Sequence, residues 1–460
     1  MKFFCLNAIS PLDGRYEKIN KKLKNIFSEY GFIKYRLFVE IYWLIYLSNI
    51  TEIKELSPLS NFIKNYLKNI IVSFNLKDAL KIKNIEKTTN HDLKAIIFFL
   101  EKKLKKIHCK KNIIEFIHFG CTSDDINNVA YALMLKDAKK NHIFKYWNKI
   151  IKKMDFLSTK YKKHVILSRT HGQPASPTTM GKEISNFSYR LKRQFRQLKN
   201  IKILGKFNGA VGNYNAHVIA YPNINWRMIN KNFIQSLNIS WNPYTTQIEP
   251  HDYISEFFSC IFRFNTILID FSRDIWSYIS LNYFTQKINL SDTGSSTMPH
   301  KINPIYFENS EGNLGISNAL INHISSKLPI SRWQRDLSDS TVLRNLGSII
   351  SYSIISYHYI LLGLKKIDIN KKFISKDLQK NWEILLEPLQ TIMRKNSIKN
   401  SYEKVKNLFR GKKITSKIIK NFIETLNIPI SEKNKLYNLT PFNYVGDAIN
   451  LSKKIKLYKY

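Results

Sequence analysis

Two short segments of this 460-residue chain carry residue types able to move protons and hold carboxylates. The first is Ser168-Arg169-Thr170-His171-Gly172-Gln173-Pro174-Ala175. Imidazole titrates near neutral pH, so a loop histidine suits general acid–base chemistry. Gly172 and Pro174 interrupt regular structure, and Ser176-Pro177 reads as a helix start, with serine as cap and proline in the first turn. This places His171 on a rigid loop at a helix N-terminus, although an ordinary polar loop histidine fits the segment equally well. The second is Gly294-Ser295-Ser296-Thr297-Met298-Pro299-His300-Lys301-Ile302-Asn303-Pro304. Its glycine and paired serines predict a mobile loop, stiffened on the far side by prolines. Lys301 and Asn303 supply a cation and an amide donor two residues apart, a pair that matches a carboxylate.

The elements that must position these segments read as helices. Glycine and proline number 15 and 13, few enough to favour long helices over sheets with many turns. Ile254, Phe257, Ile261, Phe264, Leu268, Phe271, Ile275 and Tyr278 alternate steps of three and four in a stretch free of both, which predicts one long helix with a bundle seam. A second stripe, Ile143, Trp147, Ile150, Met154, Leu157 and Tyr161, follows Thr122-Ser123-Asp124-Asp125, whose Thr and Asp have capping-box spacing and predict a helix start. The chain therefore reads as all-α in three helical domains. Residues 1–111 form shorter helices, 112–364 a central bundle of long helices, and 365–460 shorter Lys-rich amphipathic pieces.

The net charge of +39 would ordinarily suggest nucleic acid or an anionic membrane. The lysines are spread among Ile and Asn rather than clustered, so a compositional drift at solvent positions accounts for them and a nucleic-acid partner is not expected. Apolar runs such as Ile41 to Leu47 fall well short of the ~20 residues of a membrane span. The N-terminal apolar stretch is too brief for a signal-peptide core, so a cytoplasmic location is expected. Cys5, Cys109, Cys121 and Cys260 lie far apart with no C-x-x-C pair, which offers neither a zinc site nor a disulfide framework.

The string Gly-Ser-Ser-x-Met-Pro-x-Lys-x-Asn at Gly294 to Asn303 resembles the signature of the fumarase/aspartase superfamily, and Thr170-His171-Gly172-Gln173-Pro174-Ala175 narrows the resemblance to the adenylosuccinate lyases, in their longer bacterial form. Further strings agree in order: Ser10-Pro11-Leu12-Asp13-Gly14-Arg15-Tyr16, Thr88-Thr89-Asn90-His91-Asp92, Cys121-Thr122-Ser123-Asp124-Asp125, Gly209-Ala210-Val211-Gly212-Asn213, Gln247-Ile248-Glu249-Pro250, and Arg332-Trp333-Gln334-Arg335-Asp336 leading to Ser340-Thr341-Val342-Leu343-Arg344. They extend from residue 10 to about 450. Asp124, where glutamate is common, and Asp292-Thr293 are the departures.

The resemblance implies a β-elimination that releases fumarate from succinyl-purine nucleotides without metal or organic cofactor. It implies His171 as the acid and Ser295 as the base, and places Thr122, Ser123, Gln247, Lys301 and Asn303 around the succinyl group. The residues alone do not decide between Ser295 and Ser296, and a free hydroxyl is a poor base unless nearby positive charge, such as Lys301, assists it. Arg15, Tyr16, Arg335, Ser340 and Arg344 fit as donors to a nucleotide monophosphate, with Thr341, Val342 and Leu343 completing that substrate-binding stretch; for any one arginine a surface salt bridge fits as well. His91, with Asn90 and Asp92, is expected to orient substrate near the acid, or else to cap a helix. The family also implies a homotetramer whose active sites are shared between subunits. The alternatives at this stage are another lyase of the superfamily and a non-catalytic basic RNA-binding protein.

Overall fold

The apolar stripe from Ile254 to Tyr278 forms the 29-residue helix Asp252–Ser280. Its first seven positions are buried and Tyr278 is half-buried, as a single helix face turned toward a core requires. The computed structural model describes residues 6–287, 297–298, 300–411 and 413–460. Its other long helices include Glu29–Leu47, Ser123–Ala138, Phe144–Lys160, Met180–Asn200, Ile305–Lys327 and Leu346–Lys366, and its strands form three two-stranded sheets. The all-α expectation holds. The stretch Ser338–Lys366 is long and apolar enough to cross a membrane by length and composition, yet 67% of its most apolar window is buried in the protein, as in the core helix of a bundle.

The chain divides into two compact units. The first comprises Met1–Tyr146, Gln197–Thr266 and Gly312–His358. Here the helix Ser123–Ala138 starts as its sequence predicts, with Thr122 and Asp125 forming a capping box. The Asp125 carboxylate does more than cap. One oxygen accepts from Lys206 Nζ and the Asn208 N–H, both at 2.9 Å, and the other from the Thr122 N–H at 2.8 Å and the Gly209 N–H at 3.1 Å. Both partners of the Asp125–Lys206 ion pair are fully buried. Asn128, one turn on, donates to Lys206 O and accepts from the Lys206 N–H, so two turns of one helix fix the 206–209 segment.

An aromatic cluster of Trp43, Phe207 and Phe233 packs nearby, with ring centroids 4.5–5.0 Å apart. His217 lies against Trp43 and Trp226, and neither ring nitrogen has a hydrogen-bond partner among the described residues. Burial accordingly pushes its pKa down to about 4, so the ring stays neutral near pH 7. Gly120, at φ 71°, passes so close that an added Cβ would sit 2.5 Å from His217 Nε2. Farther along, Asn265 Nδ2 donates to Asn318 at 3.1 Å and Ser353 at 3.0 Å, and Asn265 Oδ1 accepts from Tyr357. This satisfied polar layer pins the register of three helices.

The second unit comprises Trp147–Arg196, Ile267–Glu311 and Tyr359–Tyr460. It corrects one expectation. Ser176-Pro177 does not begin a helix; it lies in the strand Gln173–Thr179, which pairs antiparallel with Val165–Thr170, and the helix starts at Met180. Two consecutive left-handed residues, His171 at φ 52° and Gly172 at φ 78°, make the tight turn, a geometry suited to the twist of a two-residue hairpin. The register shifts between Ile166 and Ser168, so Pro177 occupies a bulge, where its missing N–H costs no ladder bond. The buried Lys192 pairs with Asp155 at 2.8 Å and donates to Ile455 O, fastening the C-terminal residues to the helix Met180–Asn200.

The Asp125 network predicts a stability effect. Asp125→Ala leaves Lys206 charged and uncompensated in the interior and removes the acceptor for three backbone N–H groups. We expect it to lower the unfolding free energy by about 3–5 kcal/mol, measured by chemical denaturation; a loss under about 1 kcal/mol would show that the surroundings replace the carboxylate.

Candidate active site

A cavity of about 390 Å³ opens in the first unit. Phe32 and Arg36 reach it from the helix Glu29–Leu47, and His91 and Asp92 from the start of Asp92–Lys105. Ser123, Asp124, Asn127 and Tyr131 line it from Ser123–Ala138. Arg335, Ser340, Thr341, Leu343 and Arg344 close the remaining side. Three guanidinium groups thus face one hollow, an arrangement suited to a polyanionic ligand.

The guanidiniums are held before any ligand arrives. Arg36 is 3% exposed and pairs with Asp92 at 2.8 Å; its Nε donates to Asn127 at 2.8 Å, and it stacks 3.7 Å over the Phe32 ring. Arg344 bonds to Glu29 at 3.0 Å and Asp92 at 3.3 Å. Burial disfavours a charged Asp92, but Arg36 and Arg344 outweigh it and hold the carboxyl below its ordinary range. Arg335 donates to Gln247 Oε1 at 3.1 Å and approaches Ser340 Oγ at 3.5 Å, while Gln247 Nε2 is anchored on Ala210 O at 3.0 Å.

At the cavity floor Asp124 is buried, and one of its oxygens has no hydrogen-bond partner among the described residues. Burial raises its pKa, and Lys206, His251 and Arg335 offset only part of that effect. Ser123 is the first residue of its helix, where free N–H groups favour a bound anion.

The structure brings His91, Asp92, Ser123, Arg335, Ser340, Thr341, Leu343 and Arg344 to this cavity. His91 is also the N-cap of its helix, accepting from the Lys94 N–H through Nδ1 at 3.2 Å, and Asn90 ends the preceding helix in a left-handed conformation. Helix capping is therefore a real role of this trio. Thr122 caps its helix just behind the wall, Gln247 braces Arg335, and Val342 is not among the lining residues. Arg15 is exposed and Tyr16 buried on a turn away from the lining; the neighbouring Leu12 and Asp13 border a separate hollow of about 140 Å³ that Arg344 also reaches.

His171, Lys301 and Asn303 belong to the second unit. His171 is exposed at the hairpin tip rather than at a helix N-terminus. Arg169, two residues earlier, pairs with Asp377 at 2.8 Å, and Asp377 also accepts from Tyr283. Lys301 is exposed, and the half-buried Asn303 shortly precedes the helix Ile305–Lys327. Ser295 and Ser296, the residues on which the base depends, lie outside the described residues.

Sequence reasoning missed Arg36, Asn127 and His251. Arg36 carried a signal: with Glu40 it falls on the stripe of Phe32, Ile33, Leu37 and Leu44, all buried. A charge on a core-facing helix stripe needs a partner or a ligand.

A family model described as Lyase matches residues 14–317, and one described as Adenylosuccinate lyase C-terminal matches residues 331–445. The chain is 58% identical over 456 residues to adenylosuccinate lyase of Buchnera aphidicola subsp. Acyrthosiphon pisum, and 53% identical over 456 residues to that of Escherichia coli; each alignment covers 99% of this chain and 100% of the relative. Among solved structures, fumarate lyase from a Mesorhizobium species superimposes with a TM-score of 0.77 at 14% identity, covering 95% of this chain and 97% of the other. The 3-carboxy-cis,cis-muconate lactonizing enzyme of Pseudomonas putida gives 0.74 at 16%, covering 95% and 96%. Those two likenesses establish the fold, and the full-length identity to the former pair, together with both family models, establishes that this chain belongs to the adenylosuccinate lyase family of the fumarase/aspartase superfamily.

Proposed function

We propose that this chain eliminates fumarate from adenylosuccinate, leaving AMP, and from succinyl-aminoimidazole-carboxamide ribotide. The observation that carries the reading is its identity of 53–58% to adenylosuccinate lyases over 99% of its length. The guanidinium-lined cavity agrees with a phosphate-bearing substrate. The direct test is incubation of the purified protein with adenylosuccinate while fumarate release is followed; no release would end the reading.

In the reaction a base takes the proton from the succinyl carbon adjacent to the one bearing nitrogen. The electron pair forms the carbon–carbon double bond, the carbon–nitrogen bond breaks, and an acid protonates the departing nitrogen. The carbanionic intermediate is a dianionic aci-carboxylate, so fixed cations and amide donors supply much of the stabilisation. We assign the acid to His171 and the base to Ser295, with Lys301 lowering the cost of the alkoxide and Thr122, Ser123, Gln247 and Asn303 holding the succinyl carboxylates. Arg335, Ser340 and Arg344 bind the monophosphate, and Arg15 and Tyr16 complete that anchor. The enzyme is cytoplasmic and tetrameric on this reading.

Three outcomes follow. Ser295→Ala should reduce turnover by about 10²–10⁴-fold with substrate binding retained, and Ser296→Ala should be milder; equal, small losses in the two variants would remove the assignment. Inactive His171→Ala and Ser295→Ala tetramers, dissociated and reassociated together, should regain part of the activity, because mixed tetramers contain sites with both groups intact. Mixed tetramers confirmed by mass but still inactive would rule out shared sites. Finally, both substrates present the same succinyl and phosphate groups, so Arg335→Ala should lower kcat/KM for each by roughly 10- to 150-fold, the loss of one charged hydrogen bond. One reaction left at the parental rate while the other collapsed would exclude a common site.

A further inference from the structure

Behind the cavity wall lies a charged cluster that the proposed chemistry does not use. His251 is 2% exposed and adopts φ 67°, a left-handed conformation that costs a non-glycine residue about 1 kcal/mol or more. Its N–H donates to Glu249 Oε2 at 2.7 Å, and Nδ1 lies 3.7 Å from the same oxygen. Nε2 stands 3.3 Å from Asp339 Oδ2. The other oxygen of Asp339 accepts from the Ser340 N–H at 2.6 Å, and Glu249 Oε1 accepts from Asn242 at 2.8 Å. The first N–H of the helix Ser338–Leu343 is held at 2.7 Å by Asp336, from the turn just before it, and Asp339 carries the contact from that turn to the buried imidazole.

We infer that His251, as an imidazolium between Glu249 and Asp339, is a positioning residue for the phosphate-binding wall: by clamping Asp339 it fixes the short helix from which Ser340, Thr341 and then Arg344 reach the cavity. The inference rests on the reading that this cavity takes the substrate monophosphate. The charges around the imidazole support it. Glu249 faces it from its own loop, Asp339 from the short helix and Asp124 from Ser123–Ala138; Lys206 and Arg335 act on Asp124, and Arg335 acts on Asp339 as well. Tyr253 is buried nearby, and burial pushes its phenol well above the usual range, which keeps it neutral. Burial alone would lower the pKa of His251; hydrogen bonds with Asp339 and Glu249 and the charge of Asp124 reverse this and raise it to about 9. A histidine whose folded pKa is raised contributes fully below its unfolded pKa of about 6.5 and loses the contribution as pH rises through about 9. The clamp is therefore intact near neutrality and opens in alkali.

The test is steady-state kinetics of the full chain with adenylosuccinate between about pH 8 and about pH 10, with inorganic phosphate as a competing ligand. For the parent, KM and the phosphate inhibition constant should rise together by about tenfold as pH passes the titration of the clamp, with kcat changing less. His251→Gln should show raised constants already at about pH 8 and no further alkaline rise. Asp339→Asn removes the same ion pair from the other side and should match it, so the outcome does not depend on one variant folding. Parental constants in folded His251→Gln, or an undiminished alkaline rise in Asp339→Asn, would overturn the inference. If the parent showed no lyase turnover, the proposed function would fail separately. Calorimetric titration with inorganic phosphate would then read the clamp alone, with about tenfold weaker binding in His251→Gln supporting it and equal binding overturning it.

Discussion

The buried carboxylate of Asp125 is the constraint on which the first unit's site depends. An isolated carboxylate cannot be taken out of water without a penalty of several kcal/mol. Here four donors converge on its two oxygens: a lysine and three backbone N–H groups drawn from the helix start and from the 206–209 segment. Each donor would otherwise be a buried polar group in need of a partner. Satisfying them at one point fixes the first turn of Ser123–Ala138, and with it the positions of Ser123, Asp124, Asn127 and Tyr131 along the cavity. The capping box is thus less a device for helix stability than the coupling between a helix N-terminus and a distant loop.

The adjacent carboxyl shows what the same burial does without that compensation. Asp124 follows Ser123 as Asp125 follows Asp124, yet one of its oxygens lacks a partner and its pKa is raised by burial. Neighbouring positions of one helix turn therefore hold opposite electrostatic characters, one carboxyl fully paired and the next partly unpaired where the cavity begins. The arginines on the opposite wall follow a complementary logic. Arg36 and Arg344 share Asp92, so their side-chain freedom is already restricted; Arg36 Nη1 is buried with no hydrogen-bond partner among the described residues, while Arg344 is 45% exposed. A ligand phosphate meets guanidiniums in place, and the ordering cost of binding is correspondingly small.

What the sequence makes legible and what it conceals divide along one physical line. Features carried by neighbours in the chain could be read: the stripe that became Asp252–Ser280, and the Thr122–Asp125 box three residues apart. The hairpin at His171 was local too, but Ser176-Pro177 has the same chemistry in a bulged strand as at a helix start, and the decisive signal, two left-handed residues in succession, was open to histidine only because the turn demands it. The contacts that build the cavity are not local. Arg36 meets Asn127 across 91 positions, Lys206 meets Asp125 across 81, and His251 meets Asp339 across 88. No periodicity encodes such pairs. Asp336 and Asp339 stand three apart in one exposed-looking string, yet one binds its own turn and the other a buried imidazole.

The charge of the chain sharpens this point. Of 73 basic residues, 14 are arginine, so lysine is the ordinary cation of this protein and covers much of its surface. Yet among the described residues the three cations lining the cavity are all arginine. Lysine would supply the same unit charge, so charge alone cannot account for the choice. Arg36 uses its fork for three simultaneous tasks, pairing with Asp92, donating to Asn127 and stacking on Phe32, and Arg344 bridges two carboxylates. A lysine ammonium, a compact and strongly hydrated point charge, can neither stack as a plane nor present donors in fixed parallel directions. Where the chain needs only solubility it uses lysine, and where geometry must be held before a ligand arrives it uses the guanidinium. That contrast within one composition separates the site from the basic surface around it, and it is why a net charge of +39 says little about what this protein binds.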